Sequence, residues 1–293
     1  MNKRPSILTA RRSLFMSLLV IGIAAYLLLG LKIGDLNPGE GGIKLAKRFF
    51  SAALSPAMTN EQASAFTSKT PLWKNALSAC WETIRISAAA VSLSLVIGLI
   101  FGFLGATAWW RNRSGGIRNP LYRFVLRFIA PVVYSTTRVL ITFTRSVHEL
   151  LWATLFLAAL GMGPLAAVFA LTIPFSGTFA KIFSEMIDEA DPSAARALEL
   201  AGAGPLQVFC FALLPAALPD MIAYTLYRFE CGLRSSAVMG FMGVLTLGYY
   251  IDASFENRHY HEVWTYLYAL IALIVFFEKW SDAIRRRLVE GPT

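Results

Sequence analysis

The stretch Glu185–Pro219, EMIDEADPSAARALELAGAGPLQVFCFALLPAALP, separates two long apolar segments of the chain. It is polar and charged, with Pro192 before a short predicted helix and with Gly202 and Gly204 after that helix. Leu214-Pro215 then opens the next apolar segment. In a mostly hydrophobic chain, this pattern predicts a loop that faces water and carries a short helix at its centre.

The composition indicates an integral membrane protein. Of the 293 residues, 56% are hydrophobic and only 15% are charged, well below the roughly 25% charged residues of a soluble domain. Several apolar runs approach the roughly 20 residues that a helix needs to cross a bilayer. The net charge of +9 fits cytoplasmic loops that face anionic lipid. It does not indicate nucleic-acid binding, because the arginines cluster at the ends of apolar runs.

The fold class predicted from these patterns is an all-α integral membrane protein with about six transmembrane helices. Basic residues at the N-terminus, in the loop that contains Arg111 to Arg127, and at the C-terminus place both termini in the cytoplasm. The segment from Phe128 up to the third span is predicted to be an elbow that enters the membrane. The predicted spans are Ser13–Leu31, Trp73–Trp110, Ile141–Leu160, Leu165–Phe183, residues 216–239 and Val263–Trp280.

Sites for catalysis or metal binding are weakly indicated. The chain has no G-x-x-x-x-G-K-[ST], G-x-S-x-G or H-E-x-x-H motif. His148 and Glu149 are adjacent, so their side chains diverge by about 100° in a helix and make a poor acid–base pair. His259 and His261, near several carboxylates, fit either a zinc site or a solvated docking face, and no ligand spacing closes a metal site. Cys80, Cys210 and Cys231 form no disulfide or metal-binding pattern. We therefore predict no enzyme activity and no metal in this chain.

The loop between the apolar segments resembles the cytoplasmic coupling loop of ABC-importer permeases. That family's motif is Glu-Ala-Ala, three residues, Gly, nine residues, Ile, one residue and Leu-Pro. Ala197, Gly202 and Leu214-Pro215 fall in register, and Leu198 and Ala212 are apolar substitutes. Arg196 stands where the family has Glu. Glu199 lies three residues later, where a basic residue is common, which suggests a swapped charge pair on one helix face.

A longer match extends from Thr144 to Gly248 and resembles the phosphonate-type branch of these permeases. It departs from that branch at residues 248–251, where Gly-Tyr-Tyr-Ile replaces a Gly-Gly-Ile-Gly type of turn. The matching pieces are Arg145-Ser146-Val147 with Glu149, Gly161-Met162-Gly163-Pro164, Lys181 with Ser184-Glu185, Ala201-Gly202-Ala203, Leu214-Pro215 and Tyr224-Thr225-Leu226-Tyr227-Arg228-Phe229-Glu230.

The resemblance implies the type I ABC importer permease fold with a cytoplasmic coupling helix. It implies a permease that carries phosphonate or a related phosphorus oxyanion, such as phosphite or phosphate, into the cytoplasm. The expected partners are a second copy of the chain, two cytoplasmic ATP-binding subunits, a periplasmic or lipoprotein substrate-binding protein, and inner-membrane lipid. ATP and magnesium belong to the ATPase partners, and no cofactor is expected on this chain. Alternatives are a permease for another small anion, a membrane scaffold without a pathway, and a membrane enzyme.

The resemblance also suggests a division of the chain and a set of functional residues. Residues 1–80 would hold the first span and an outer loop with an amphipathic helix at Ile43–Leu54, which either lies on the membrane surface or packs on the bundle. Residues 81–293 would form the permease core, with a coupling loop at 185–206. The candidate pathway residues are Arg228, Glu230, Arg234, Arg145 and Glu149, for which purely structural ion pairs are the alternative. The candidate coupling residues are Arg196, Ala197, Glu199, Gly202, Leu214 and Pro215, and the candidate outer gate is Gly248, Tyr249 and Tyr250.

Overall fold

The computed structural model describes residues 7–30, 40–59, 71–108 and 120–289, and the regular structure in these ranges is helical, without β-strands. Contacts group residues 1–54 as one unit and residues 55–293 as another. The predicted boundary after residue 80 stays a prediction. Trp109 and the start of the predicted basic loop, from Trp110 to Asn119, lie outside the described residues.

The first unit contains two helices, α1 (Ile7–Leu28) and α2 (Glu40–Ala52). Helix α1 holds an apolar segment, Arg12–Leu28, at the place of the predicted first span. Helix α2 covers most of the predicted amphipathic segment, and its basic residues Lys44, Lys47 and Arg48 recur at helical spacing.

The second unit is a helical bundle with one polar loop. Its elements in order are α3 (Leu72–Gly105), α4 (Pro120–Ser146), α5 (Glu149–Leu160), α6 (Pro164–Glu189), α7 (Ser193–Leu200), α8 (Pro205–Val208), a π-helical segment (Phe209–Leu213), α9 (Leu214–Val238), a 3₁₀ turn (Met239–Met242), α10 (Leu247–Glu256) and α11 (Tyr260–Val289). Helix α7 is the short helix predicted in the polar loop.

Three helical segments of the described residues are long and apolar enough to cross a membrane: Leu72–Gly105, Pro164–Glu189 and Phe209–Met242. They correspond to the second, fourth and fifth predicted spans. Two shorter apolar helices, Arg12–Leu28 and Glu149–Leu160, lie at the first and third predicted spans. The sixth predicted span lies within α11.

The third predicted span is not one continuous helix, which corrects the prediction of Ile141–Leu160. Helix α4 ends at Ser146, and α5 begins at Glu149 after a bend. His148 causes the restart, because its Nδ1 accepts a hydrogen bond from the backbone N–H of Leu150 at 3.2 Å and caps α5. The 12 residues of α5 extend about 18 Å, which is short of the roughly 30 Å hydrocarbon core. The predicted elbow is instead part of the long helix α4.

The centre of the bundle is a close contact between α3 and α6. Phe175, Phe179 and Phe183 recur every four residues along α6 and are fully buried. Gly98 of α3 lies so close to α6 that an added Cβ would come 2.4 Å from the Cβ of Phe179. At Gly102 the corresponding distance to the Phe183 Cβ is 3.1 Å. Small residues one turn apart thus allow the two backbones to approach, as in other membrane helix pairs.

Candidate functional site

The coupling helix α7 begins at an exposed turn that Asp191 organises. The Asp191 carboxylate accepts hydrogen bonds from the Ser193 hydroxyl at 2.6 Å and from the Ser193 backbone N–H at 3.0 Å. These two bonds, with a smaller contribution from the positive charge of Arg196, lower the pKa of Asp191 below its ordinary value. The negative charge therefore persists beside the helix N-terminus, where the helix dipole favours it.

The same helix ends in a Schellman motif that depends on Gly202. The backbone N–H of Gly202 donates to the Glu199 carbonyl at 3.0 Å, and that of Ala203 donates to the Leu198 carbonyl at 3.0 Å. Gly202 has a φ of +84°, a conformation that costs little only for glycine. Because nothing lies within 4 Å of a Cβ built on Gly202, this residue is needed for its backbone angle and not for a close contact.

Helix α7 packs through one face only. Buried Ala195 and half-buried Leu198 contact Val208 and Ala212 of the segment that leads into α9. The predicted coupling residues Arg196, Ala197 and Glu199 are exposed, with Arg196 and Ala197 turned away from the packed face and Glu199 at its edge. Arg196 and Glu199 form no ion pair with each other in the described structure, so the predicted swapped pair is not formed. Leu200 is 90% exposed, an apolar side chain at the end of the helix that the sequence interpretation overlooked.

Leu214 and Pro215 lie at the junction of the π-helical segment with α9. The backbone N–H of Leu214 donates to the Phe209 carbonyl, five residues back. Pro215 has no N–H to donate, and its ring would clash with a carbonyl four residues back in an α-helix. The wider π turn that precedes Pro215 accommodates this restriction.

Arg228 projects from α9 toward α6. Its guanidinium carbon lies 4.2 Å from the centroid of the Phe175 ring, a cation–π contact. Its Nη2 is 3.5 Å from the Thr178 hydroxyl, and its Nε is buried without a hydrogen-bond partner. Within the described ranges, no carboxylate lies at ion-pair distance from Arg228. This side chain is therefore a half-buried cation without a counter-ion.

Glu230 and Arg234, also candidate pathway residues, form an ion pair with each other one helical turn apart. Glu230 is only 6% exposed, whereas the Arg234 side chain is 55% exposed. The pair runs along α9, as i,i+4 pairs do. Arg228, two residues before Glu230, points to another side of the helix and takes no part in it.

Arg145 and Glu149, the second predicted pair, are separated by the bend between α4 and α5. Glu149 accepts a hydrogen bond from the Ser235 hydroxyl at 2.6 Å. The Arg145 side chain instead lies beside Gly177, with its Cγ 3.0 Å from the position of a Cβ added there. The structure thus does not join Arg145 to Glu149, and it identifies Ser235 as the partner of the carboxylate.

The predicted outer gate lies where α9 turns into α10. A Cβ on Gly248 would come 2.0 Å from the Ala237 carbonyl oxygen, so only glycine fits this approach. Tyr250 stacks on Tyr266 of α11, with ring centroids 5.3 Å apart, while Tyr249 stays exposed. Thr83 of α3 supports the turn, because its hydroxyl accepts a hydrogen bond from the Leu247 backbone N–H at 3.2 Å.

Asp188 is a connecting residue that sequence patterns did not reveal. Its carboxylate accepts hydrogen bonds from the backbone N–H groups of Thr107 at 3.0 Å and Ala108 at 2.8 Å, just after α3. Arg138 of α4 approaches the same carboxylate at 3.9 Å. One side chain of α6 therefore connects the end of α3 with the body of α4, close in sequence to the polar loop.

A cavity of about 540 Å³ opens between the C-terminal end of α6, the N-terminal half of α9 and α11. Its polar lining residues are Glu189, Asp220, Tyr224, Tyr227 and Arg285. Glu189 lies just before the coupling helix. The cavity therefore connects the region of the polar loop with the part of α9 that carries Arg228.

His259 and His261, the predicted alternatives for a zinc site or a docking face, have separate partners. The Nδ1 of His261 is 2.8 Å from the Ser55 carbonyl oxygen, and the Nδ1 of His259 is 4.0 Å from the Glu262 carboxylate. In the part of the chain that the structure describes, no three His, Cys, Asp or Glu side chains converge on a point that could hold a metal ion.

Sequence and structure comparisons agree on one family. Residues 94–290 match the family described as binding-protein-dependent transport system inner membrane component. The chain is 31% identical over 205 residues to the phosphite transport system permease protein PtxC of Stutzerimonas stutzeri, covering 70% of this chain and 68% of that protein. It is 28% identical to the phosphate-import permease protein PhnE of Mycolicibacterium smegmatis, covering 71% of this chain and 36% of that longer protein.

The fold matches a chain of the MetNI methionine ABC transporter solved in an inward-facing conformation. The TM-score is 0.59 at 22% identity, over 73% of this chain and 96% of that chain. This likeness confirms the predicted fold class, an all-α membrane protein with the ABC importer permease fold. The family is one of transport components and not of enzymes, and it implies ATPase and substrate-binding partners. This chain belongs to the binding-protein-dependent transport system inner membrane components, the permease subunits of ABC importers.

Proposed function

We propose that this permease carries phosphonate or a related phosphorus oxyanion, such as phosphite or phosphate, into the cytoplasm. The observation that carries the proposal is Arg228, a half-buried cation without a carboxylate partner among the described residues, between the membrane helices α6 and α9. A charge within a membrane span costs several kcal/mol and normally faces a pathway or a partner. The substrates named for two related permeases are phosphorus oxyanions, which supports an anion as the transported species.

The transport cycle that we propose uses the partners of this family. A second copy of the chain completes the membrane domain, and two cytoplasmic ATP-binding subunits contact the exposed face of α7. Arg196 replaces an expected carboxylate on that face, so the opposing ATPase surface must offer a different charge. Exposed Leu200 adds an apolar contact for the same partner.

The orientation of the chain follows from the same proposal. Both termini and helix α7 lie in the cytoplasm, and the α9–α10 turn lies on the outer side, where a loaded binding protein docks. ATP-driven closure of the partner subunits then moves α7 and, through Val208 and Ala212, the start of α9. Magnesium and ATP stay on the partner subunits.

The proposal is tested with the complete complex in liposomes. ATP hydrolysis is measured while binding protein is added empty or loaded with phosphite, phosphate or methylphosphonate, with sulfate as the control anion. We expect stimulation by at least one loaded phosphorus form above the empty and sulfate controls. Stimulation by sulfate alone would assign another small anion to the permease. An assembled complex that no tested anion stimulates would leave a scaffold role and would contradict the proposal.

A further inference from the structure

Two arginines from different helices approach the same turn of α6. Arg145, at the end of α4, lies with its Cγ 3.0 Å from the Cβ position of Gly177. Arg228 of α9 reaches the hydroxyl of Thr178, the next residue, at 3.5 Å. Because the chain bends after Ser146, the end of α4 approaches this turn of α6, and α5 does not.

Neither arginine is neutralised by a carboxylate of the described chain. Glu230, the nearest acidic residue to Arg228 in sequence, is paired with Arg234, and Glu149 accepts a hydrogen bond from Ser235. Arg228 also keeps a buried Nε without a partner. Arg228 is half-buried and Arg145 is exposed, and two cations near one turn of a helix that both lack a carboxylate partner attract an anion.

Tyr224 lies near both arginines and also lines the cavity. It lies one turn before Arg228 on α9, and the positive charges of both Arg145 and Arg228 act on its hydroxyl group. Its ring packs edge-on against Phe179 and Phe183 of α6, with centroids 5.8 Å and 6.4 Å away. Tyr224 also lines the 540 Å³ cavity. Neither arginine lines the cavity itself, so Tyr224 is the residue that the cavity and the two arginines share.

We propose that Arg145 and Arg228, with the hydroxyl of Tyr224, form an anion-binding site that holds a tetrahedral phosphorus oxyanion within the permease. This inference rests on the proposed function and adds that the permease itself binds the transported anion. A guanidinium group binds two oxygens of a phosphorus oxyanion with two parallel N–H donors. Phosphite, phosphate, a phosphonate head and a lipid phosphate group share this chemistry, and the test below separates substrate from lipid.

The test measures phosphite uptake by the complete complex in phosphatidylcholine vesicles, with saturating phosphite-loaded binding protein. The variants are Arg145→Gln, Arg228→Gln and the double variant. Arg287→Gln, which removes an exposed arginine at the end of α11, is the matched control. We expect each single variant to slow uptake about tenfold, the double variant to slow it further, and the control to match wild type.

Lysine variants separate binding from structural support and cover the case in which a glutamine variant fails to fold. Arg145→Lys and Arg228→Lys keep the charge but lose the forked donor pair. We expect uptake rates between wild type and the glutamine variants, while stimulation of ATP hydrolysis by loaded binding protein persists. The site would be overturned if the lysine variants assemble and transport at the wild-type rate and the double glutamine variant is also fully active.

Two further outcomes show whether a negative result concerns the two-arginine site or the proposed function. If wild-type complex takes up phosphite and the double variant takes it up equally fast, the two-arginine site is wrong and the proposed function stands. If wild-type complex takes up none of phosphite, phosphate and methylphosphonate, the proposed function itself is wrong. The wild-type and variant comparison is repeated in vesicles that contain phosphatidylglycerol. A difference that appears only there would assign the arginines to an anionic lipid headgroup and would overturn the substrate site.

Discussion

At the scale of single residues, Asp191 shows how one carboxylate begins helix α7, for which we propose contact with the ATPase. Its two hydrogen bonds from Ser193 hold the chain in a turn, and the helix dipole favours its charge. Because these interactions favour the ionised form, the pKa of Asp191 is lower in the folded chain than in the unfolded chain. Its stabilising contribution is therefore present above the unfolded pKa, and it is lost as pH falls through the folded pKa.

The pH dependence of helix α7 follows from this sign. After correction for the intrinsic pH dependence of exchange, we expect the protection of the α7 amides to be insensitive to Asp191 titration from neutral pH down to about 4, and to decrease at lower pH. Asp191→Asn should remove the acid-dependent part of this change and should leave exchange faster at neutral pH. Ser51→Ala, which removes a hydroxyl from helix α2, is the control variant. An equal acid dependence in wild type and Asp191→Asn would contradict this role.

Residue patterns identified charged candidates within the apolar segments but not how these charges pair. Arg228 and Glu230 are two positions apart, so their side chains differ by about 200° around α9 and cannot act as one group. Glu230 instead pairs with Arg234, which lies four positions later on the same face. The partners of Glu149 and Asp188 come from distant parts of the chain, and local residue spacing does not predict such contacts.

At the scale of an element, Gly202 determines how the coupling helix ends. A non-glycine residue at φ +84° costs about 1 kcal/mol, and asparagine tolerates this conformation better than alanine does. We expect Gly202→Ala to fray the last turn of α7 more than Gly202→Asn, as measured by amide hydrogen exchange in that turn.

Gly202→Trp tests the exposed surface of the same element. Since a side chain at this position meets open space within the chain, the permease should assemble normally, while binding-protein-stimulated ATP hydrolysis falls at least tenfold. Gly204→Ala is the control, because a Cβ there meets only Gln207 Oε1, at 3.6 Å. Wild-type stimulation in Gly202→Trp would show that this end of α7 does not contact the ATPase.

The elements themselves were predicted with uneven success. The polar loop helix and the long apolar helices were visible because proline, glycine and charge mark their ends. The prediction of the third span was wrong, because His148 was interpreted as an interruption within an apolar run. In the structure, His148 caps a helix. A side-chain cap and a solvated polar residue have the same sequence signature.

At the scale of the whole molecule, the α3–α6 contact is the centre of the packing of the second unit. We expect Gly98→Leu to destabilise the protein strongly, since even a Cβ would come 2.4 Å from the Phe179 Cβ and overpacking costs about 1–3 kcal/mol or more. Ser92→Leu, on the exposed face of the same helix, is the control and should leave stability near wild type. Thermal unfolding of the detergent-solubilised protein measures the stability of both variants. An unfolding temperature of Gly98→Leu equal to that of wild type would contradict the close contact.

The ABC importer permease fold was predicted from the family resemblance. Composition and apolar run lengths were enough to predict an all-α membrane protein, because a bilayer imposes its thickness on any spanning helix. They were not enough to predict the glycines at 98 and 102 as contact points. That role depends on which helix becomes the neighbour of α3, and the neighbour, α6, lies some 80 residues away in the chain.

The interlocked glycines and phenylalanines of α3 and α6 also limit which parts of the permease can change position during transport. Two backbones that are this close cannot slide or rotate against each other without a steric collision. We therefore expect the pair to move as one rigid body during transport. We expect alternating access to involve displacement of the start of α9 relative to that body, with a hinge at the π-helical segment Phe209–Leu213, where the helical hydrogen bonding is already irregular.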